Sequence, residues 1–126
     1  IKAYNQLNKK DLQQNLILFL KDLVPTLESS GIQMSIHPDD PPFSLFGIPR
    51  VVKNLQDLKT IFHRVPSLSN GLTFCTGSLC VRKENDLSVI FQKFATAFSC
   101  CCNTVALASP NVSFGIVQFA IKERIS

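Results

Sequence analysis

Residues 36–42 read Ile-His-Pro-Asp-Asp-Pro-Pro and join a predicted strand to an acidic, proline-rich loop. Over residues 32–37, isoleucine, methionine and isoleucine alternate with polar side chains, which is the period of a strand with one apolar face and one polar face. His37 is the last residue of this strand and lies on its polar face. The stretch therefore predicts a half-buried strand whose end presents an imidazole, the commonest metal ligand, beside a stiff loop.

Helical patterns lie on both sides of this strand. Between Asn8 and Gly31, leucines recur at intervals of three and four residues, which predicts an amphipathic helix that ends at a glycine. Pro25 lies inside that pattern and cannot donate a backbone hydrogen bond, so we expect a kink or a break there. After the loop, which runs from residue 38 to residue 50 and which we expect to be ordered, a second helix is predicted from an N-cap at Asn54.

A second strand and a third helix complete the pattern. Asn-Gly at residues 70–71 predicts a turn into a strand over residues 72–75, and Cys75 ends that strand on its less apolar face, as His37 ends the first. A loop over residues 76–85 then leads to a helix capped by Asn85 or Asp86. Helices that alternate with strands predict an α/β fold with a parallel sheet.

The composition favours one ordinary globular domain. The chain has 126 residues, of which 45% are hydrophobic and 17% are charged, with a net charge of +4. The basic residues are scattered, there is one tyrosine and no tryptophan, and we therefore expect no nucleic-acid partner. No apolar run is long enough for a bilayer and no signal-peptide pattern is present. Five cysteines are a poor disulfide framework, so we expect a reducing, cytoplasmic location.

His37 and Cys75 are candidate metal ligands because each follows a predicted strand. If the two strands are neighbours, they lie about 4.8 Å apart, and an imidazole and a thiolate at their ends can reach one divalent ion. Histidines and cysteines near strand ends are also common as ordinary partly buried side chains. Spacing alone leaves both interpretations open.

Several motifs in this order resemble one enzyme family. They are His-Pro-Asp-Asp-Pro-Pro from His37, Phe-Gly-Ile-Pro-Arg from Phe46, Asn-Gly-Leu-Thr-Phe-Cys-Thr-Gly-Ser from Asn70, Glu-Asn-Asp-Leu from Glu84, and Tyr-Asn-Gln-Leu from Tyr4. Residues 1–98 thereby resemble mannonate dehydratases, the sugar-acid lyases of hexuronate catabolism. The resemblance implies that these residues are part of a (β/α)₈ TIM barrel, in which parallel strands alternate with helices.

The resemblance also implies a metal centre and a reaction. The metal is Mn²⁺ or Fe²⁺ at the C-terminal face of the barrel, with His37 and Cys75 as two of its ligands. The reaction is the dehydration of D-mannonate to 2-keto-3-deoxy-D-gluconate, in which a proton leaves C2 and hydroxide leaves C3. A divalent ion stabilises the charge that develops, and an acid protonates the departing hydroxide. No residue of this chain is assigned as the acid or the base.

Three polar residues are predicted to bind the substrate. Arg50 is predicted to contact the carboxylate or a hydroxyl group, with Asp40 and Ser78 as hydrogen-bonding partners. Each also has a structural interpretation, because Arg50 could hold its own loop, Asp40 could cap a turn and Ser78 could bond to backbone.

The resemblance ends near residue 98. The family continues into a strand that ends in a further metal-binding histidine within His-Leu-Arg, whereas this chain has Ser-Cys-Cys-Cys-Asn over residues 99–103. We interpret residues 99–126 as a divergent C-terminal tail from an altered or shifted reading frame, with Cys102 near the position of that histidine. Residues 105–107 and 112–120 are predicted extra strands. A TIM barrel needs about 250 residues, so we expect this fragment alone to be inactive.

Two other functions stay open. One is a metal-dependent sugar isomerase or epimerase of the same barrel class, which would not release water. The other is a non-catalytic metal-binding or assembly fragment built on Cys75, Cys80 and the cysteines at residues 100–102, although Cys-x₄-Cys lacks the usual spacing of structural zinc sites. Assembly into a homo-oligomer is compatible with every one of these functions.

Overall fold

The computed structural model describes residues 8–94 and the backbone of residues 105–109 and 112–117. The described elements, in chain order, are α1 (Lys9–Ser29), β1 (Met34–Ile36), α2 (Leu55–Arg64), β2 (Asn70–Leu72), α3 (Thr76–Cys80), α4 (Leu87–Phe94), β3 (Val105–Ser109) and β4 (Val112–Val117). The predictions that concern Tyr4, residue 98 and the cysteines at 100–102 lie outside the described residues. No helix within the described part of the chain is long and apolar enough to cross a membrane.

The strands β1 and β2 form a parallel pair, as the alternation of helices and strands predicts. Met34 pairs with Asn70 and Ile36 pairs with Leu72, and α2 makes the crossover between the two strands. Both strands are shorter than predicted, and the predicted turn at residues 70–71 is wrong because these residues begin β2. The buried side-chain NH2 group of Asn70 donates to the carbonyl of Val65 at 2.9 Å, which gives this donor a partner while the residue is in an extended conformation.

The helix α1 is continuous through Pro25, so the predicted break is wrong. Pro25 is exposed, and water can replace the backbone hydrogen bond that the proline cannot make. The helix ends as its glycine predicts: Gly31 has φ +66°, its N–H donates to Glu28, and the N–H of Ile32 donates to the carbonyl of Leu27 at 2.9 Å. This pair of bonds is the Schellman motif, which requires a left-handed residue at this position.

Because Gly31 holds a positive φ, the Gly31→Ala variant is expected to be less stable by about 1–2 kcal/mol. A Cβ at this position would meet nothing within 4 Å, so the cost comes from the backbone conformation and not from a steric clash. Urea denaturation followed by circular dichroism measures the change. The matched control is Ser30→Ala, since Ser30 is exposed and has φ −94°. Equal unfolding midpoints for the two variants would contradict the expectation.

The remaining predicted caps locate α2 and α4. The side chain of Asn54 accepts from the N–H of Asp57 at 2.8 Å, and that of Asp86 accepts from the N–H of Val89 at 3.0 Å, so Asp86 and not Asn85 caps α4. The predicted loop over residues 76–85 is partly wrong, because α3 forms within it. Leu79 is fully buried in the core, and burial of its side chain stabilises the packing of α3 against the rest of the domain.

One apolar core joins the helices and the sheet. Its members are completely or almost completely buried, and they include Ile17, Leu20, Val24, Val51, Val52, Leu58, Ile61, Val65, Leu72, Leu79, Ile90 and Phe94. At one edge, Lys9 of α1 forms an ion pair with Asp57 of α2 at 2.5 Å. The core therefore fixes α1, α2, α3 and α4 around the β1–β2 pair.

The strands β3 and β4 form a separate antiparallel pair, in which Val105 pairs with Val117 and Ser109 with Val112. Extra strands are therefore present where they were predicted over residues 105–107 and 112–117, whereas residues 118–120 of the second prediction lie outside the described residues. The two strands form their own sheet and not part of the β1–β2 sheet. The connection between them is short, and a short connection can join only antiparallel strands, because a parallel pair needs a crossover of a dozen or more residues.

Candidate metal centre

The two predicted metal ligands follow neighbouring strands at the same edge of the sheet. His37 comes directly after β1, and the N–H of Thr73 donates to the carbonyl of Ile36 at 2.9 Å, which continues the pairing one residue beyond β2. The N–H of Cys75 then donates to the carbonyl of Thr73 at 2.9 Å and turns the chain into α3. The parallel arrangement that the metal hypothesis requires is thus present, although Cys75 lies beyond β2 and not within it.

The imidazole of His37 is exposed and has a defined hydrogen bond. Its Nδ1 lies 2.7 Å from the carbonyl oxygen of Pro38. A carbonyl can only accept, so Nδ1 carries the proton in this arrangement and the neutral ring keeps its lone pair on Nε2. Metal-binding histidines are commonly fixed in this way, with one ring nitrogen bonded to a carbonyl and the other available to the ion.

The sulfur of Cys75 is held by a serine. Cys75 is half-buried at the N-terminal end of α3, and the hydroxyl of Ser78 donates to its Sγ at 3.3 Å. Ser78 itself is buried, with 2% of its surface exposed. Sequence reasoning predicted Ser78 as a substrate contact and missed this contact with sulfur, although residues three positions apart are neighbours on a helical turn.

The loop between β1 and α2 is closed by an aspartate that sequence reasoning did not select. One carboxylate oxygen of Asp39 accepts from the N–H of Val51 at 2.8 Å and from the N–H of Val52 at 2.7 Å. The N–H of Asp39 donates to the carbonyl of Val52 at 2.8 Å. These bonds span a dozen residues, and the local pattern of the sequence contains no signal for them.

The tip of the same loop is a tight turn. Leu45 and Ile48 exchange backbone hydrogen bonds of 3.2 and 2.9 Å, with Phe46 at φ 51° and Gly47 at φ 78° between them. Two adjacent residues with positive φ are typical of a two-residue hairpin turn. The guanidinium of Arg82 also donates to the carbonyl of Pro42 at 3.3 Å, which ties the loop to the segment after α3. The prediction of an ordered loop is therefore confirmed.

The other two predicted substrate contacts lie in this loop. Asp40 is exposed and precedes Pro41. Arg50 is half-buried, and its Nε is buried without a hydrogen-bond partner among the described residues. A buried guanidinium N–H of this kind retains the capacity to donate to an anion.

Within the described residues, no group of three or more His, Cys, Asp or Glu side chains could hold a metal ion. His37 and Cys75 would thus provide two ligands, whereas protein metal sites commonly have three or four. The other described cysteine, Cys80, is exposed, and its thiol lies 3.6 Å from the carbonyl of Gly77. Part of the predicted cysteine cluster, at residues 100–102, falls outside the described residues.

The sequence profile of the D-mannonate dehydratase (UxuA) family matches residues 1–109. This chain belongs to the D-mannonate dehydratase family. Its relatives include mannonate dehydratase 2 of Agrobacterium fabrum, which is 46% identical over 96 residues that make up 76% of this chain and 24% of the relative. The mannonate dehydratase of Geobacillus thermodenitrificans is 50% identical over 91 residues, or 72% of this chain and 24% of the relative.

The fold also matches a solved member of the family. The crystal structure of mannonate dehydratase from Streptococcus suis serotype 2 is similar with a TM-score of 0.70 and 35% identity, over 75% of this chain and 27% of that one. The mannonate dehydratase resemblance predicted from the motifs is thus confirmed. The chain spans about a quarter of the length of the curated relatives it matches.

Proposed function

We propose that residues 1–98 form one sector of a mannonate dehydratase (β/α)₈ barrel and contribute two ligands to its metal centre. The observation that carries this proposal is the parallel β1–β2 pair, from which His37 and Cys75 emerge at one edge. In barrels of this kind the active site lies at the C-terminal ends of the strands. Residues 99–126 are a divergent tail in this proposal, and the family profile overlaps only its first part, up to residue 109.

The donor atoms fit a borderline divalent ion. Imidazole nitrogen and thiolate sulfur suit Fe²⁺, and the order of affinities for nitrogen and sulfur sites places Fe²⁺ above Mn²⁺. We therefore propose Fe²⁺ or Mn²⁺, with Fe²⁺ preferred by this ligand pair. Such an ion, when bound, stabilises negative charge beside the substrate carboxylate. His37 presents Nε2 to it, and Ser78 orients the sulfur of Cys75.

The substrate in this proposal is D-mannonate, and the reaction is a β-elimination. The C2–H bond breaks, its electron pair forms the C2–C3 double bond, and the C3–O bond breaks with protonation of the departing hydroxide to water. The resulting enol converts to 2-keto-3-deoxy-D-gluconate. Arg50 would bind the carboxylate through its guanidinium, and Asp40 would accept hydrogen bonds from substrate hydroxyls. The base and the acid are not among the residues assigned here.

The proposal also covers the location of the enzyme and its partners. A lyase of hexuronate catabolism acts on a small sugar acid in the cytoplasm, without nucleic acid or membrane as a partner, and a homo-oligomer is compatible with the barrel architecture.

Product analysis tests the function. The purified chain with Fe²⁺ or Mn²⁺ is expected to release no keto-deoxy acid from D-mannonate, because it spans only about a quarter of its relatives. A chimera in which residues 1–98 of this chain replace the matching segment of the Geobacillus thermodenitrificans relative is expected to release it. An isomerised sugar acid formed without loss of water would instead favour an isomerase or epimerase. A folded, metal-loaded chimera that makes neither product would refute the proposal.

A further inference from the structure

We propose that Asp39 is a positioning residue, whose carboxylate closes the loop of residues 40–50 and thereby fixes Arg50 beside the strand end that carries His37. The inference rests on the proposed function, since only there does Arg50 bind the substrate. The hydrogen bonds that the side chain of Asp39 makes go to Val51 and Val52 and not to these two residues. It acts through the backbone of the chain that follows Arg50.

Asp39 joins the two ends of the loop through three hydrogen bonds. A single oxygen accepts two consecutive backbone N–H groups, from Val51 and Val52, at 2.8 and 2.7 Å. Hydrogen bonds to a charged acceptor are shorter and stronger than neutral ones, and these distances are at the short end of the usual range. The backbone N–H of Asp39 adds a third bond to the carbonyl of Val52 at 2.8 Å.

The chain is restricted on both sides of these hydrogen bonds. Val51 and Val52 are 7% and 5% exposed and belong to the core, so the two N–H groups that bond to Asp39 lie in a packed part of the chain. On the other side, the buried and conformationally restricted Pro38 joins Asp39 to His37. One carboxylate therefore connects the proposed metal ligand to the residue that directly precedes Val51, which is Arg50.

Other side chains hold the loop at different points, and the amide of Asn85 donates to the carbonyl of Lys53 at 2.9 Å, directly after Val52. Arg82 contacts the carbonyl of Pro42 at 3.3 Å, near the start of the loop. The side chain of Gln13 contacts the carbonyl of Val51 at a long 3.4 Å. The neighbouring Asp40 is exposed, so its side chain is available to the substrate and does not take part in closing the loop. Asp39 thus adds two side-chain hydrogen bonds directly after Arg50, where the core packing of Val51 and Val52 also holds the chain.

The first test measures the loop in the complete 126-residue chain. Asp39→Ala is expected to accelerate amide hydrogen exchange at Val51 and Val52 by roughly 10–100-fold, measured by NMR, because a hydrogen bond to a charged group is lost at each. The amide of Leu20, in the core-facing part of α1, reports global unfolding, so the acceleration at Val51 and Val52 is expected to exceed the acceleration at Leu20. Asp39→Asn keeps an acceptor oxygen without charge and should give an intermediate acceleration. The control is Asp22→Asn, on the exposed surface of α1.

The second test measures Arg50 directly. In Asp39→Ala, phenylglyoxal should modify Arg50 faster than in the unsubstituted chain, with the exposed Arg64 as an internal reference in the same peptide mass spectra. In the chimera, the same substitution should raise KM for D-mannonate more than it lowers metal affinity. Unchanged exchange at Val51 and Val52, an unchanged rate at Arg50, or an unchanged KM would each overturn the inference.

The two proposals fail in distinguishable ways. An inactive chimera without any substitution at Asp39 would refute the proposed function, and the positioning role with it. An active chimera whose KM is insensitive to Asp39→Ala would refute the positioning role alone. If Asp39→Ala does not fold, the Asp39→Asn variant decides the outcome by the same measurements.

Discussion

The Cys75→Ser variant of this chain is expected to lose the sulfur-to-metal charge-transfer absorption that appears on titration with Co²⁺, a spectroscopic probe for the proposed ion. Serine has no thiolate, and its hydroxyl is a poor ligand for borderline metals. Loss of the contacts around a metal ligand typically costs 10–100-fold in affinity, so loss of the ligand itself should cost about 100-fold or more. Absorption spectroscopy and competition with a chelator measure both quantities.

Cys80→Ser is the matched control for that substitution. Cys80 is the other described cysteine, and it is exposed at the end of α3. The same chemical change there should leave the absorption and the affinity unaltered. The two histidines provide a second pair: His37→Ala should weaken metal binding, whereas His63→Ala, on the exposed side of α2, should not. Equal losses from Cys75→Ser and Cys80→Ser would favour the cysteine-based assembly module over the dehydratase centre.

Leu58→Ala is expected to have the largest effect on stability, a decrease of about 2–5 kcal/mol in the free energy of unfolding. Leu58 is completely buried on α2, where it belongs to the core. Truncation removes its transfer free energy and leaves a cavity that the packed neighbours cannot fill without distortion. Denaturant unfolding followed by circular dichroism at two protein concentrations measures the change.

Leu68→Ala provides the comparison for the core substitution, because Leu68 is 83% exposed. Removing an exposed leucine side chain from a connection should change stability by less than about 0.5 kcal/mol. The difference between these two leucines separates the effect of burial from that of residue type. Similar midpoints for both variants would mean that α2 is not packed as described.

Local signals in the sequence were sufficient to predict α1, α2 and α4 and the parallel order of the first two strands. The asparagine and aspartate caps bond to the backbone of the next turn, so Asn8, Asn54 and Asp86 mark helix starts without knowledge of the rest of the fold. Two of the failed predictions depend on particular contacts that the apolar and polar pattern does not encode. Asn70 enters a strand because its amide bonds to Val65, and the α3 turn forms because Leu79 reaches the core.

The same distinction applies to the candidate site. His37 and Cys75 could be selected because position at a strand end is a local property, and the alternation of helices and strands places such ends together. Asp39 could not be separated from Asp40 by any local rule, since its partners Val51 and Val52 lie on the far side of the loop. The link between Ser78 and the sulfur of Cys75 depends on a helical turn that was predicted as loop.

The pairing of Met34 with Asn70 has a kinetic consequence. The backbone hydrogen bonds within α1 and α2 are local, but β1 and β2 meet only after the whole crossover between them has closed. Such non-local contacts form late because the entropy of the intervening chain must be lost first. An imidazole and a thiol at the two strand ends come together at that step and not before. During refolding, the circular dichroism signal of the helices should therefore appear before the absorption of the cobalt–thiolate bond. The delay between the two signals measures how long the β1–β2 pair takes to form.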